Sequence, residues 1–177
     1  MSSKQKKSGT MSTKKLALCA VFVAVAVVGS MFSIPVLGSR CAPVQHMVNI
    51  LCAVFLGPWY GLAAAFLASL LRNMLGLGTL LAFPGSMCGA VLSGLAYRLF
   101  KRLPAAWIGE LLGTSVIGGM LAYPIAAFIM GNSAAALFAY VIPFLISSAG
   151  GTIIAAIITL ALKKSGFLAN AKAQLDA

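Results

Sequence analysis

Residues 44–71 read VQHMVNILCAVFLGPWYGLAAAFLASLL, and whether this run crosses a membrane once or twice decides the fold. One span needs about 20 apolar residues, and the run is long enough for a single tilted helix. Gly57-Pro58 interrupts its middle, however, and helices usually end at or before the residue preceding a proline. The charges choose between the two readings. Lys4, Lys6, Lys7, Lys14 and Lys15 precede the first apolar run, Arg98, Lys101 and Arg102 follow a later one, and Lys163 and Lys164 close the last. With the N-terminus inside, a single crossing at 44–71 would put both later clusters outside, against the positive-inside rule. A tight cytoplasmic turn at Gly57-Pro58-Trp59-Tyr60-Gly61 returns both clusters to the cytoplasm. It also gathers Trp59, Tyr60, Tyr97 and Trp107 at one interface, as an aromatic belt requires. The split predicts two helices of roughly 13–16 residues, about 20–24 Å each at 1.5 Å per residue. Bilayer thinning or packing inside a bundle accommodates such short spans.

Composition sets the class. The chain has 177 residues, 61% hydrophobic and 8% charged, with a mean hydropathy of +1.02, which excludes a soluble globular domain. Apolar runs at 16–37, 44–71 (split), 83–97, 105–130 and 138–162 predict an all-α integral membrane protein, a six-helix bundle with both termini cytoplasmic. A basic tail over 1–15 precedes the membrane domain over 16–164, and a second cytoplasmic tail covers 165–177. The first run exceeds the usual signal-peptide core of about 7–15 residues and is read as a retained helix. The net charge of +11 lies at the ends of apolar runs, a topogenic pattern that does not argue for nucleic acid. Cys19, Cys41, Cys52 and Cys88 lack CxxC spacing and read as small buried hydrophobes. Pro124 and Pro143 are expected to kink the last two helices.

On this topology the polar residues sort unevenly. Gln45, His46, Asn49, Arg72, Asn73, Thr79, Asn132 and Tyr140 fall at or near the outer face, with Tyr123 in the outer half of the fifth helix. Gln45, His46 and Asn49 lie at i, i+1 and i+4, so one helical face can present all three. Amides, one imidazole, tyrosines and one arginine suit a small heteroaromatic ligand with a hydrogen-bonding arm. They do not suit a metal, which gathers several His, Cys or carboxylates. Two readings stay open for His46, ligand contact and an interfacial imidazole bonded to backbone. Two stay open for the passage over 57–89, one wall of a ligand site and a loop whose arginine anchors at headgroups. Glu110 is the one carboxylate within the apolar runs; it reads as an ion pair with Arg98, Lys101 or Arg102 at the inner rim ahead of a role in proton or sodium coupling, which would want more partners. Small residues recur at four-residue spacing (Ala20/Ala24, Gly85/Gly89, Gly109/Gly113 and Gly118/Ala122 among them), a pattern that permits close helix approach.

No GxxxxGK[ST] appears, so the chain has no P-loop with which to use ATP, and no HExxH, GxSxG or paired carboxylates offer hydrolytic chemistry. An outward pocket without an energy source implies a partner that has one. The segments Pro43-Val-Gln-His-Met-Val-Asn49, Leu56-Gly-Pro-Trp-Tyr-Gly61, Ser69-Leu-Leu-Arg-Asn73 and Gly78-Thr-Leu-Leu-Ala-Phe-Pro-Gly-Ser86, with Gly109-Glu-Leu-Leu-Gly-Thr114 and Leu121-Ala-Tyr-Pro-Ile125, resemble the ThiW-type substrate-binding (S) component of energy-coupling-factor transporters over about residues 14–165.

That resemblance implies a multi-pass protein of a bacterial or archaeal plasma membrane. It would capture hydroxyethylthiazole, the thiazole precursor of thiamine, with no cofactor of its own. It would work with a shared transmembrane subunit and two cytoplasmic ATPases. From the topology and residue chemistry above, and not from the resemblance, the ligand is expected to bind through Gln45, His46, Asn49, Arg72, Asn73, Tyr123, Asn132 and Tyr140. Ala20 and Ala24 on the first helix match in type and position the AxxxA motif where the shared subunit docks; by spacing alone the same alanines could instead pack inside the bundle. Other readings are the pyrimidine precursor or thiamine as ligand, a stand-alone carrier of a small heterocycle, a membrane enzyme, or a structural protein.

Overall fold

A computed structural model describes residues 13–36, 39–132 and 135–176. The basic head expected over 1–15 lies outside the described residues up to position 12, and Thr13 opens α1 (Thr13–Gly29). The helix ends earlier than the apolar run suggests. A single 3-10 turn, Ser30–Phe32, leads into β1 (Ile34–Val36), which pairs antiparallel with β2 (Ser39–Cys41), Pro35 opposite Arg40. The 16–37 helix is thus corrected at its C-terminal end. Ser30 already turns its hydroxyl back on the Val27 carbonyl, and Pro35 has no N–H to continue a helix.

Residues 44–71 break at Leu56-Gly57, but the expected turn over 57–61 is corrected, since Pro58, Trp59, Tyr60 and Gly61 already belong to the next helix. The segment divides into α2 (Pro43–Phe55) and α3 (Pro58–Met74), each with a proline in its first turn, where the missing N–H costs nothing. Gly57 between them has φ 87°, a conformation open to glycine and strained for other residues. Helix α4 (Ala82–Phe100) follows. Next comes one continuous helix built from α5 (Leu103–Leu112), a π-helical segment Gly113–Gly118, α6 (Gly119–Pro124) and a second π-helical segment Ile125–Ile129. Pro124 is followed by the second π segment, a usual way to absorb a lost i−4 bond. Pro143 does not kink its helix, because it lies in the first turn of α7 (Val141–Lys164). The segment expected as a tail forms α8 (Phe167–Asp176). It is tied to α1 by Lys15–Asp176 at 2.7 Å and to α4 by Lys172 Nζ donating to the Tyr97 hydroxyl at 3.0 Å.

Among the described residues, three helices are long and apolar enough to cross a membrane: Thr13–Phe32, Leu103–Ile129 and Val141–Lys164. Their outer faces stay apolar, with Val21, Val28, Phe128, Ile157 and Leu160 exposed, as befits helices solvated by lipid. Inside, Cys19, Val23 and Ala26 of α1 pack with Val48 and Cys52 of α2 and Ala64 and Ala68 of α3. Small residues set the tightest approach. A Cβ added to Gly109 would fall 2.7 Å from the Leu92 carbonyl oxygen, one on Gly113 2.7 Å from that of Cys88, and one on Gly118 2.6 Å from the Gly85 Cα. The glycines bring the backbone of α5 and of the first π segment directly onto α4, and such close approach matters because lipid supplies no hydrophobic force to hold the helices together.

Candidate ligand-binding site

The end of the bundle where α2 begins and α3 finishes carries a narrow cleft, open at its mouth, with an interior of about 30 Å³. Helix α2 supplies Gln45 and His46, and α3 supplies Arg72. The connection to α4 gives Thr79 and Leu81, α4 gives Gly85 and Ser86, the first π segment gives Thr114, α7 gives Phe144 and Ser147, and β2 adds Arg40.

Local structure positions these groups. After Arg72, α3 closes with a Schellman motif, in which Leu77 N–H donates to the Arg72 carbonyl and Gly76 N–H to that of Asn73. Gly76, at φ 70°, supplies the left-handed residue the motif needs. Asn73 then pins the loop that follows, its Nδ2 donating to the carbonyls of Ser69 and Thr79 at 2.8 and 3.0 Å. Asn73 therefore shapes the wall without lining the cleft. On the opposite side the Ala42 N–H, just ahead of α2, donates to Ser147 Oγ at 2.9 Å and fixes α2 to α7.

The floor is a continuous hydrogen-bond network. Arg72 Nη1 reaches Gln45 Oε1 at 3.4 Å, and Gln45 Nε2 donates to Asn49 Oδ1 at 3.2 Å. Asn49 Nδ2 donates to the Ser86 carbonyl at 3.1 Å and to Glu110 Oε1 at 2.9 Å. The same Oε1 accepts from Thr114 Oγ1 at 3.0 Å and lies 2.9 Å from His46 Nδ1. With Glu110 as carboxylate, Nδ1 is the donor, which fixes the ring and leaves Nε2 for another partner. Glu110 is fully buried, and its Oε2 has no partner. The inner-rim ion pair with Arg98, Lys101 or Arg102 is corrected: the carboxylate turns inward and meets His46, because a buried charge needs donors around it. Gly89 makes room for this junction, since a Cβ there would sit 2.7 Å from Glu110 Oε1. Gly89→Ala is therefore expected to displace the carboxylate and lower both thermal stability and ligand affinity. Unchanged values for both would remove the network from the site.

Of the residues singled out in the sequence, Gln45, His46, Arg72 and Thr79 line the cleft, Asn49 lies directly beneath it, and Asn73 braces its wall. Tyr123 stands apart, edge-on to Phe128 with ring centroids 6.5 Å apart. Tyr140 is buried behind Phe144, its ring 6.3 Å away, and accepts from the exposed Asn132 at 3.4 Å; neither lines the cleft. Sequence reasoning missed Arg40, Ser86, Glu110, Thr114, Phe144 and Ser147. The i, i+4 spacing of Glu110 and Thr114 was a usable signal, because an intramembrane carboxylate requires donors near it.

The family model described as thiamine-precursor transporter protein (ThiW) matches residues 16–165. The chain belongs to the ThiW family. Every cleft residue falls within the matched region, and the apolar helices suit the membrane location of a transporter. Comparison with curated proteins and with solved structures gives no match.

Proposed function

We propose that this ThiW-family chain is the substrate-capture subunit of an energy-coupling-factor importer, taking up hydroxyethylthiazole as a thiamine precursor. The observation that carries the reading is the cleft floor. A single polar face, Gln45, His46 and Asn49, is held by Glu110 beneath a mouth bordered by the Phe144 ring. An aromatic wall with imidazole and amide donors at one end suits a small heteroaromatic ring with a hydroxyl arm. Calorimetry of the purified chain against hydroxyethylthiazole, the hydroxymethyl-pyrimidine precursor and thiamine tests it. Tightest binding of the thiazole supports the proposal, while tightest binding of either other compound reassigns the ligand. His46→Ala should weaken thiazole binding by up to about tenfold, the loss of one good hydrogen bond. An unchanged affinity would place the ligand elsewhere.

In this proposal α1, α2, α3, α4, the α5–α6 helix and α7 each cross the plasma membrane, with both termini cytoplasmic. The cleft then opens outward, and a shared transmembrane subunit with two ATPases drives release. A cysteine introduced near Tyr60 should resist an impermeant thiol reagent added outside, and one near Leu77 should react. The opposite labelling pattern would overturn the topology. Uptake into vesicles holding this chain without ATPase subunits would instead mark a stand-alone carrier.

A further inference from the structure

Arg72 is 3% exposed, lies in the last turn of α3 and lines the cleft. Among the described residues its one side-chain bond is the 3.4 Å contact with the neutral Gln45 oxygen, and its buried Nε has no partner. The whole chain contains two carboxylate side chains. Glu110 Oε1 is taken by His46, Asn49 and Thr114, and Asp176 is bound to Lys15. Neither forms an ion pair with Arg72. A second guanidinium, Arg40 on β2, lines the same cleft. One buried cation, Arg72, and one exposed cation, Arg40, thus border a narrow space in which no carboxylate of the described residues pairs with either, although a buried charge such as that of Arg72 is as a rule paired. Hydroxyl donors stand beside them. Thr79 lines the cleft, and Ser147 Oγ accepts from the Ala42 N–H, which leaves its own proton to give.

We infer that the ligand supplies the missing charge: a thiazole-sized molecule bearing an oxyanion, either a carboxylate or a phosphate monoester. The oxyanion lies in the fork of Arg72 with Arg40 at the mouth, and the ring lies toward Phe144 and His46. The inference rests on the thiamine-precursor reading, keeps its thiazole ring and site, and replaces the neutral hydroxyethylthiazole as preferred ligand with an oxyanion-bearing relative. The planar guanidinium is suited to the task because it offers paired donors to two oxygens of one anion.

Calorimetry of the full-length chain in phosphatidylcholine nanodiscs compares hydroxyethylthiazole with its phosphate monoester and with its ring carboxylate. At least one oxyanion-bearing compound is expected to bind about tenfold or more tightly than the neutral one. Arg72→Gln should bring that ratio close to one. Arg40→Gln, on an exposed strand, should lower it and serves as the second variant if Arg72→Gln does not fold. Equal or tighter binding of the neutral thiazole overturns the inference and leaves the precursor reading standing. Failure of all three compounds to bind overturns both. Loss of the preference in phosphatidylglycerol nanodiscs would assign the arginines to lipid headgroups and overturn the inference as well.

Discussion

Glu110→Ala is expected to destabilise the protein strongly and to abolish tight ligand binding. The substitution strips the acceptor from His46 Nδ1, Asn49 Nδ2 and Thr114 Oγ1 together, at a position with no exposure. Leaving a buried donor without its acceptor typically costs about 1–3 kcal/mol, and three donors are stranded here. For a chain of this size that corresponds to a fall of more than about 6 °C in unfolding temperature, measured in detergent. Affinity falls with it, since His46 loses the bond that orients its ring and Asn49 loses its anchor to the fifth helix. Glu110→Gln keeps an oxygen acceptor of the same shape and should recover part of both losses. If Glu110→Ala unfolds at the wild-type temperature and binds ligand normally, the network does not support the cleft.

The double substitution Ala20→Trp and Ala24→Trp is expected to reduce ATP-dependent uptake to background while leaving the ligand affinity of the isolated chain within about twofold. Ala20 and Ala24 are exposed on α1 beside Ala17 and Val21, and the face that packs inward is the other one, through Cys19, Val23 and Ala26. A smooth, unoccupied alanine surface allows a second helix to approach closely, and bulk there would hold it off. Because the cleft draws no residue from α1, a docking role predicts separation of transport from binding. Loss of affinity or of folding along with uptake would return the alanines to an internal structural role.

The helix break between α2 and α3 was legible because glycine and proline act locally, through backbone dihedrals and a missing donor, and need no tertiary partner. The early end of α1 was not. Residues 29–37 are apolar and uncharged apart from two serines, and such a run fits a helix or a strand equally well. The pairing with Ser39–Cys41 decides it. The polar face of α2 was readable from i, i+4 spacing, whereas its partner was not. Which level of α5 faces His46 depends on how deeply the glycines let the two helices slide past one another. The π segment that carries Thr114 is likewise invisible to hydropathy. Ser86 and Ser147 escaped notice for a simpler reason, since hydroxyls in apolar helices often bond to their own backbone and look alike wherever they point. Arg40 was passed over as part of a linker until β2 placed it at the mouth.

The contact of α5 and the π segment after it with α4, through Gly109, Gly113 and Gly118, has a mechanical consequence. Where backbone rests on backbone, no side chain can change rotamer to absorb shear, so the two helices are expected to deform as one stiff slab. The compliance needed to admit and release a ligand is then expected in residues 75–80, between the Schellman turn that closes α3 and buried Leu81, where Asn73 holds the Thr79 carbonyl. Paired spin labels on α4 and α5 should keep one distance with and without ligand, while a label near Leu77 moves. A change of spacing within the slab would contradict this division of labour.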